Sequence, residues 1–134
     1  MARARTLAAR IGCGAALALL AASAAQAGYL GDRAGWNQLS DDQKIAYAMA
    51  VYDTSNIAFG GDSPETVAVK QGRVRCLAER RLSADDLVTW LDQAYAADPG
   101  KGPPSTTLIG AVSEHCQRQI EDERIRMKAV PLRP

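Results

Sequence analysis

The first 27 residues have the features of an export leader, which decides how much of the chain folds and in which environment. Three arginines accompany an apolar run at residues 11–25, and Ala25 and Ala27 place small side chains where a signal peptidase would cut before Gly28. The run is too short and too rich in alanine for a membrane span of about 20 residues. We therefore expect a signal peptide over residues 1–27 and a periplasmic protein of residues 28–134, with secretion beyond the periplasm as an alternative.

The exported part has the length and charge of a single, nearly neutral domain. About 107 residues remain after the leader, which is typical of one domain. Such a chain buries roughly 60–70% of its unfolded surface, enough for one modest core. Removal of the leader changes the formal net charge from +1 to −2. This value argues against nucleic acid or an acidic membrane surface as the partner. No second apolar run approaches membrane length, so we expect no membrane partner after cleavage.

The cysteines predict one cross-link. Cys76 and Cys116 are the two that remain after the leader, and in an oxidising compartment such a pair normally forms a disulfide. Free thiols and a metal site are the alternatives. The only histidine, His115, adjoins Cys116, and neighbours on a helix point about 100° apart. No C-x-x-C or H-x-x-H spacing is present either. We therefore predict no metal and no cofactor.

The first half of the exported chain contains one well-marked helix. Residues 28–39 include three glycines, so we expect an irregular lead-in. Ser40 and Gln43 form the capping-box pattern, which predicts a helix from there to about Phe59. Few charges interrupt this helix, and we expect it to be the central and most buried one. Asp53 and Asn56 lie on or beside its apolar face, so both are predicted to be buried polar residues that need partners.

The second half contains further helix signals. Pro64 begins a stretch to about residue 81 that Gly72 interrupts, which we interpret as one or two short helices. Ser83 caps a helix with a regular apolar stripe. After a loop over residues 98–104, Ser105 caps a last helix whose buried stripe ends at Ile120. Beyond it, residues 121–134 are expected to form a solvated helix end and a loose tail.

No segment shows the alternation of a strand, so these elements predict an all-α domain. We expect a compact bundle of four or five helices over residues 40–120, stapled by the disulfide. Enzyme motifs such as G-x-S-x-G, G-x-x-x-x-G-K-[ST] and H-E-x-x-H are missing from the sequence. The paired aspartates lie at predicted helix N-termini, where capping and the helix dipole explain them. We therefore predict no catalytic residues.

Basic residues are densest between positions 70 and 81. The favoured interpretation is a solvated helix face, and the alternative is a docking patch for an acidic protein. No aromatic residues are interleaved in the manner of a nucleic-acid site. The residues are Lys70, Arg73, Arg75, Arg80 and Arg81.

The order of the elements resembles that of a known family. A helix over residues 46–53 precedes Cys76, a Leu- and Trp-containing helix over 82–91, a proline-containing loop and a helix that ends at Cys116. Over residues 39–116 the chain resembles the small disulfide-bonded periplasmic immunity proteins that protect bacteria from type VI secretion amidase effectors. The resemblance implies a protein that binds and blocks a toxin, often as a homodimer, and it supplies no catalytic residues.

The functional hypothesis is therefore an exported binding protein that neutralises a partner protein, most simply a cell-wall-degrading effector. Recognition concentrates on loops that a rigid scaffold holds. The alternatives are a periplasmic stress chaperone of the acid-activated HdeA kind and an exported helical protein with another structural role. Trp36 also has a second interpretation, in which its side chain closes over the core instead of binding a partner. The predicted partner-binding residues are Trp36, Gly61, Asp62, Lys101 and Pro103.

Overall fold

A computed structural model describes residues 30–128, and the predicted signal peptide and the last six residues lie outside this range. The described part contains six helices and no strand, which confirms the predicted all-α fold. The helices are α1 (Arg33–Asn37), α2 (Asp41–Asn56), α3 (Pro64–Arg80), α4 (Ala84–Ala97), α5 (Pro104–His115) and α6 (Gln117–Arg126).

The lead-in is helical where an irregular segment was predicted. The Asp32 carboxylate accepts a hydrogen bond from the Gly35 amide at 2.9 Å, and this cap starts the short helix α1. One turn of helix is enough to bury Trp36 completely. Its Nε1 donates to the Asp92 carboxylate of α4 at 2.6 Å, and its ring meets Tyr47 of α2 edge-on. Helix α1 therefore closes the core against α2 and α4.

Helix α2 begins as predicted but ends earlier and is less buried. The capping box between Ser40 and Gln43 is present, whereas Ile57 already has extended backbone angles. Ala48 is the one fully buried residue of α2, so the prediction that this is the most buried helix is wrong. Its apolar residues surround the helix axis, and only one side of the helix faces the core. Asp53 lies on the other side and is exposed, which corrects its assignment as a buried residue.

The core is centred on α4 and α5. The capping box of Ser83 and Asp86 starts α4 as predicted, and the predicted apolar stripe of α4 packs inward. Helix α5 begins at Pro104 with Pro103 as its N-cap, so Ser105 is not the cap. The largest almost fully buried side chains of these two helices are Leu91, Tyr95, Leu108 and Val112.

Helix α3 is one continuous helix that passes through Gly72. The absence of a side chain there allows α6 to come close, because a β-carbon on Gly72 would lie 2.4 Å from the Ile120 α-carbon. Arg81 ends the helix in the left-handed conformation, with φ of 53°. Helix α3 makes its most extensive contact with α6.

The end of the chain is part of the fold. Cys116 interrupts the last predicted helix and divides it into α5 and α6. Ile125 and Arg126 are exposed, but Glu123 is only 5% exposed, so the prediction of a solvated helix end is wrong at Glu123. Its carboxylate accepts from Arg75 of α3 at 3.3 Å and from Arg126 Nε at 2.7 Å. A buried carboxylate is tolerated because these two guanidinium groups neutralise it.

The predicted disulfide is confirmed. Cys76 of α3 is bonded to Cys116, with 5.6 Å between the α-carbons, and both residues are fully buried. The bond joins α3 to the corner between α5 and α6. It closes a loop with a sequence separation of 40 residues.

Removal of this cross-link should destabilise the fold strongly. We expect the double variant Cys76→Ala/Cys116→Ala to lose about 3–4 kcal/mol in free energy of unfolding, because the unfolded chain regains the entropy of the open loop. Urea unfolding followed by circular dichroism measures the change. Reduced wild-type protein serves as the control, since it lacks the bond without losing side chains. A loss below about 1 kcal/mol in both samples would show that helix packing alone sets the stability.

The contact at Gly72 gives a second prediction. We expect Gly72→Ala to destabilise the protein by about 2–3 kcal/mol, because the new methyl group meets the backbone of Ile120 and α6 must move. The matched control is Gly110→Ala in α5, where a β-carbon would meet nothing within 4 Å. This control should stabilise by about 0.5–1 kcal/mol through helix propensity. Equal effects of the two substitutions in thermal unfolding would contradict the proposed close contact.

Candidate partner-binding surface

The segment between α2 and α3 forms a short turn whose backbone is fixed by one side chain. We call residues 57–62 the aromatic turn. The Asp62 carboxylate accepts from the Phe59 amide at 2.9 Å, and the Asp62 amide donates to the Phe59 carbonyl at 3.0 Å. Gly60 and Gly61 form the tip, where a β-carbon would meet nothing within 4 Å at either position. Hydrogen bonds thus fix the base of the turn, and the space around the two glycines at its tip is open.

Lys70 of α3 attaches the aromatic turn to the helical scaffold. Its ammonium group donates to the Ile57 carbonyl at 2.7 Å and to the Asp62 carboxylate at 2.6 Å. The same ammonium lies 4.9 Å from the centre of the Phe59 ring, within the range of a cation–π contact. The Lys70 and Asp62 side chains are 13% and 14% exposed, so water screens the pair incompletely. The hydrogen bond from Lys70, helped by the Phe59 amide, lowers the pKa of Asp62.

The side chains that the aromatic turn presents are apolar. Phe59, the only phenylalanine in the chain, is 62% exposed, and Ile57 is 51% exposed. Aromatic side chains, including phenylalanine, are enriched in the buried core of protein–protein interfaces. The turn therefore has the chemistry of an anchor for another protein.

A second basic residue of α3 holds the end of α2. Arg73 is 6% exposed and donates through Nη2 to the Ser55 carbonyl at 3.4 Å. The guanidinium lies at the C-terminal end of α2, where the helix dipole is negative and α2 has no basic residue of its own. Desolvation lowers the pKa of Arg73, and burial raises the pKa of the neighbouring Tyr52 hydroxyl.

Asn56, predicted to be a buried polar residue, is half-buried in this region. Its Nδ2 donates to the Tyr52 carbonyl at 2.7 Å, within α2 itself. Its Oδ1 and the Tyr52 hydroxyl are buried without a hydrogen-bond partner among the described residues. The side chain thus finds a partner for its donor only.

The five predicted partner-binding residues lie in three different parts of the structure. Trp36 is fully buried, so its assignment as a surface anchor is wrong and the alternative, closure over the core, is confirmed. Gly61 and Asp62 belong to the aromatic turn. Lys101 and Pro103 lie in the loop between α4 and α5, where Lys101 is exposed and Pro103 is half-buried.

The loop between α4 and α5 is also anchored, but it presents different chemistry. The Gly102 carbonyl accepts from the Tyr95 hydroxyl at 2.9 Å and from the Thr107 hydroxyl at 3.2 Å. An open cleft of about 490 Å³ separates the loop from α1, with Arg33 and Lys101 among its lining residues. No large apolar side chain of this loop is exposed. The aromatic turn is therefore the better candidate for an apolar anchor.

The prediction of a solvated basic face holds for Arg80 and Arg81, which are exposed, and is wrong for Lys70 and Arg73. Lys70 and Arg73 hold the end of α2, as described above. Arg75 binds Glu79 at 2.6 Å and reaches α6, while Arg80 lies over the Trp90 ring at 5.4 Å and donates to the His115 carbonyl. Four of the five charged side chains thus have partners within the described part of the fold.

The sequence pattern did not identify Phe59 as a functional candidate, and it named Lys70 only as one member of the basic run. The helical period placed Phe59 on the apolar face of α2, on the assumption that the helix continued to residue 59. Gly60 and Gly61 predicted a turn, but they did not indicate at which residue the turn begins. The link from Lys70 to Asp62 spans eight residues and depends on the fold.

Other kinds of site find no support in the described range. Residues 30–128 contain no group of three His, Cys, Asp or Glu residues that could hold a metal ion. None of the helices in this range is long and apolar enough to cross a membrane. His115 is exposed and stacks on Trp90 with 4.2 Å between ring centres. No family model, no curated protein and no solved structure matches this chain.

The Asp62–Lys70 pair predicts how the aromatic turn responds to acid. The folded pKa of Asp62 is below its ordinary value of 3.8. The pair therefore stabilises the fold fully above the unfolded pKa, and this contribution is lost as the pH falls through the folded pKa. Carbon-13 NMR of the Asp62 carboxyl should give a midpoint below 3.8.

The control for this titration is Lys70→Met. It removes the ammonium and should move the Asp62 midpoint upward. Asp86, whose pKa is lowered by the Ser83 backbone amide and hydroxyl, should keep its midpoint in the same variant. An Asp62 midpoint that does not respond to Lys70→Met would contradict the assigned role of Lys70.

Proposed function

We propose that this chain is an exported helical binding protein that neutralises a partner protein by inserting the aromatic turn into it. The exposure of Phe59 on a backbone fixed by Asp62 and Lys70 is the observation that carries this proposal. The disulfide is compatible with an oxidising compartment outside the cytoplasm.

The construction of the turn favours tight binding. A loop that is mobile before binding loses conformational entropy when it is ordered, and this loss reduces affinity. Here the hydrogen bonds from Lys70 to Ile57 and Asp62 order the backbone before any partner arrives. The free energy gained when Phe59 is buried is then available for binding.

The resemblance to immunity proteins suggests the kind of partner. We propose a secreted cell-wall-degrading hydrolase, in whose substrate cleft the aromatic turn would lie. A turn with an exposed aromatic side chain and an uncharged tip of two glycines suits a cleft that must be closed to substrate. Inhibition by occupation of the cleft needs no catalytic residue in the inhibitor.

Affinity capture tests the function directly. The oxidised protein of residues 28–134 is immobilised and exposed to envelope and secreted fractions, and retained proteins are identified by mass spectrometry. We expect a hydrolase whose activity falls when the protein is added. Capture of many unrelated unfolded proteins at acid pH would instead favour the chaperone alternative, and the absence of any specific partner would contradict the proposal.

The anchor role of Phe59 predicts the effect of its truncation. We expect Phe59→Ala to weaken the complex by about 2 kcal/mol or more, roughly thirtyfold in Kd, because an interfacial aromatic anchor is lost. Calorimetric titration with the captured hydrolase measures the change. The matched control is Ile125→Ala on α6, which removes an apolar side chain that is 67% exposed and belongs neither to the turn nor to α2. Equal Kd values for Phe59→Ala and wild type would contradict insertion of the turn.

A further inference from the structure

The outward side of α2 is an apolar strip that continues into the aromatic turn. We call it the outer strip, and its residues recur at the spacing of a single helix face. All of them are exposed, and Met49 and Ile57 are 49% and 51% exposed. The residues of the outer strip are Ala46, Met49, Ala50, Asp53 and Ile57.

Polar groups are almost missing from this surface. Asp53 is the single charged residue between positions 46 and 61. Thr54, beside the strip, uses its hydroxyl to donate to the Ala50 carbonyl at 2.7 Å, so this group is occupied within the helix. The outer strip is thus an apolar surface with one charge near its middle.

The charge of Asp53 is not neutralised within the fold. No ion pair involves this carboxylate among residues 30–128. The basic residues of α3 that lie closest to the end of α2 have other partners, since Lys70 binds Asp62 and Arg73 binds the Ser55 carbonyl. A partner that covers the strip would remove water from Asp53, which is costly unless the partner brings a cation.

The charge of Asp53 distinguishes between two possible occupants of the strip, a second copy of this chain and a different protein. Two copies packed strip to strip would bring two Asp53 carboxylates into one apolar interface, and the strip carries no cation to pair with them. A different protein has no such constraint. A groove of about 330 Å³ along the edge of the strip, lined by Ala50 and Val51 among others, offers room for one of its side chains.

We propose that the outer strip docks a different protein, which presents an apolar patch and a lysine or arginine side chain that binds Asp53. This inference rests on the proposed function and extends its interface from the aromatic turn along α2. The turn provides the anchor, and the pair formed by Asp53 fixes the orientation of the partner on the helix.

Site-specific photo-crosslinking separates this inference from the proposed function. Benzoylphenylalanine is introduced in place of Ala58 in the turn, Ala50 in the strip, or Ala96 on α4 as the control, each in the full chain in its own cells. We expect positions 58 and 50 to label the same protein and position 96 to label none. The peptide linked from position 50 should contain or adjoin a lysine or arginine.

The remaining outcomes are equally decisive. A crosslink from position 58 without one from position 50 overturns docking on the strip and leaves the proposed function standing. A crosslink from position 50 to a second copy of this chain overturns the choice of a different protein. Labelling from neither position overturns the inference together with the proposed function.

Charge exchange tests the Asp53 pair with the labelled protein as the probe. We expect Asp53→Asn to raise Kd about tenfold or more and Asp53→Lys to raise it further. Exchange of the partner's basic residue for glutamate should restore binding to Asp53→Lys. Glu114→Lys on α5 makes the same change in net charge away from the strip and should alter Kd less than about twofold. Equal losses for Asp53→Lys and Glu114→Lys, or no rescue, would overturn the pair.

Discussion

The rest of the structure depends on two contacts, one helical turn apart, that hold α3 against the chain end. Cys76 is bonded to Cys116, and Gly72 lies against Ile120. Cys76 lies four residues after Gly72, whereas its partner Cys116 lies four residues before Ile120. Helices α3 and α6 therefore run antiparallel. A single cross-link would leave the helices free to pivot about it. The backbone contact at Gly72 removes that freedom because it fixes the distance between the helices one turn away.

Helix α3 connects these two contacts to the candidate binding surface. On one side it carries Lys70, which holds the aromatic turn, and Arg73, which lies at the end of α2. Its second half carries Arg75, which binds Glu123 on the opposite side. The same helix therefore holds the stabilising contact and the proposed recognition elements. The disulfide and the hydrogen bonds that fix the turn are thus attached to one helix.

Local signals explain which parts of the fold the sequence predicted. The capping boxes at Ser40 and Ser83 involve residues three apart, so they can be recognised without knowledge of the fold. Phe59 could not be placed because the apolar residues of α2 are spread around the helix axis and give no direction for a buried face. Glu123 was misjudged for a different reason. Its partner Arg75 is 48 residues away, and a carboxylate has no sequence signal that distinguishes neutralisation by a distant arginine from exposure to water.

The position of α6 also determines when the fold can be completed. Residues 64–80 form the central helix, but the helix they pack against most extensively begins at residue 117. The chain is synthesised from its N-terminus, and contacts distant in sequence form only after both segments are available. The fold therefore closes only when nearly all of the described residues have been made. For a protein that is exported as we propose, late closure keeps the chain unfolded while it passes through a translocation channel, and oxidation at Cys116 then locks the finished domain on the far side.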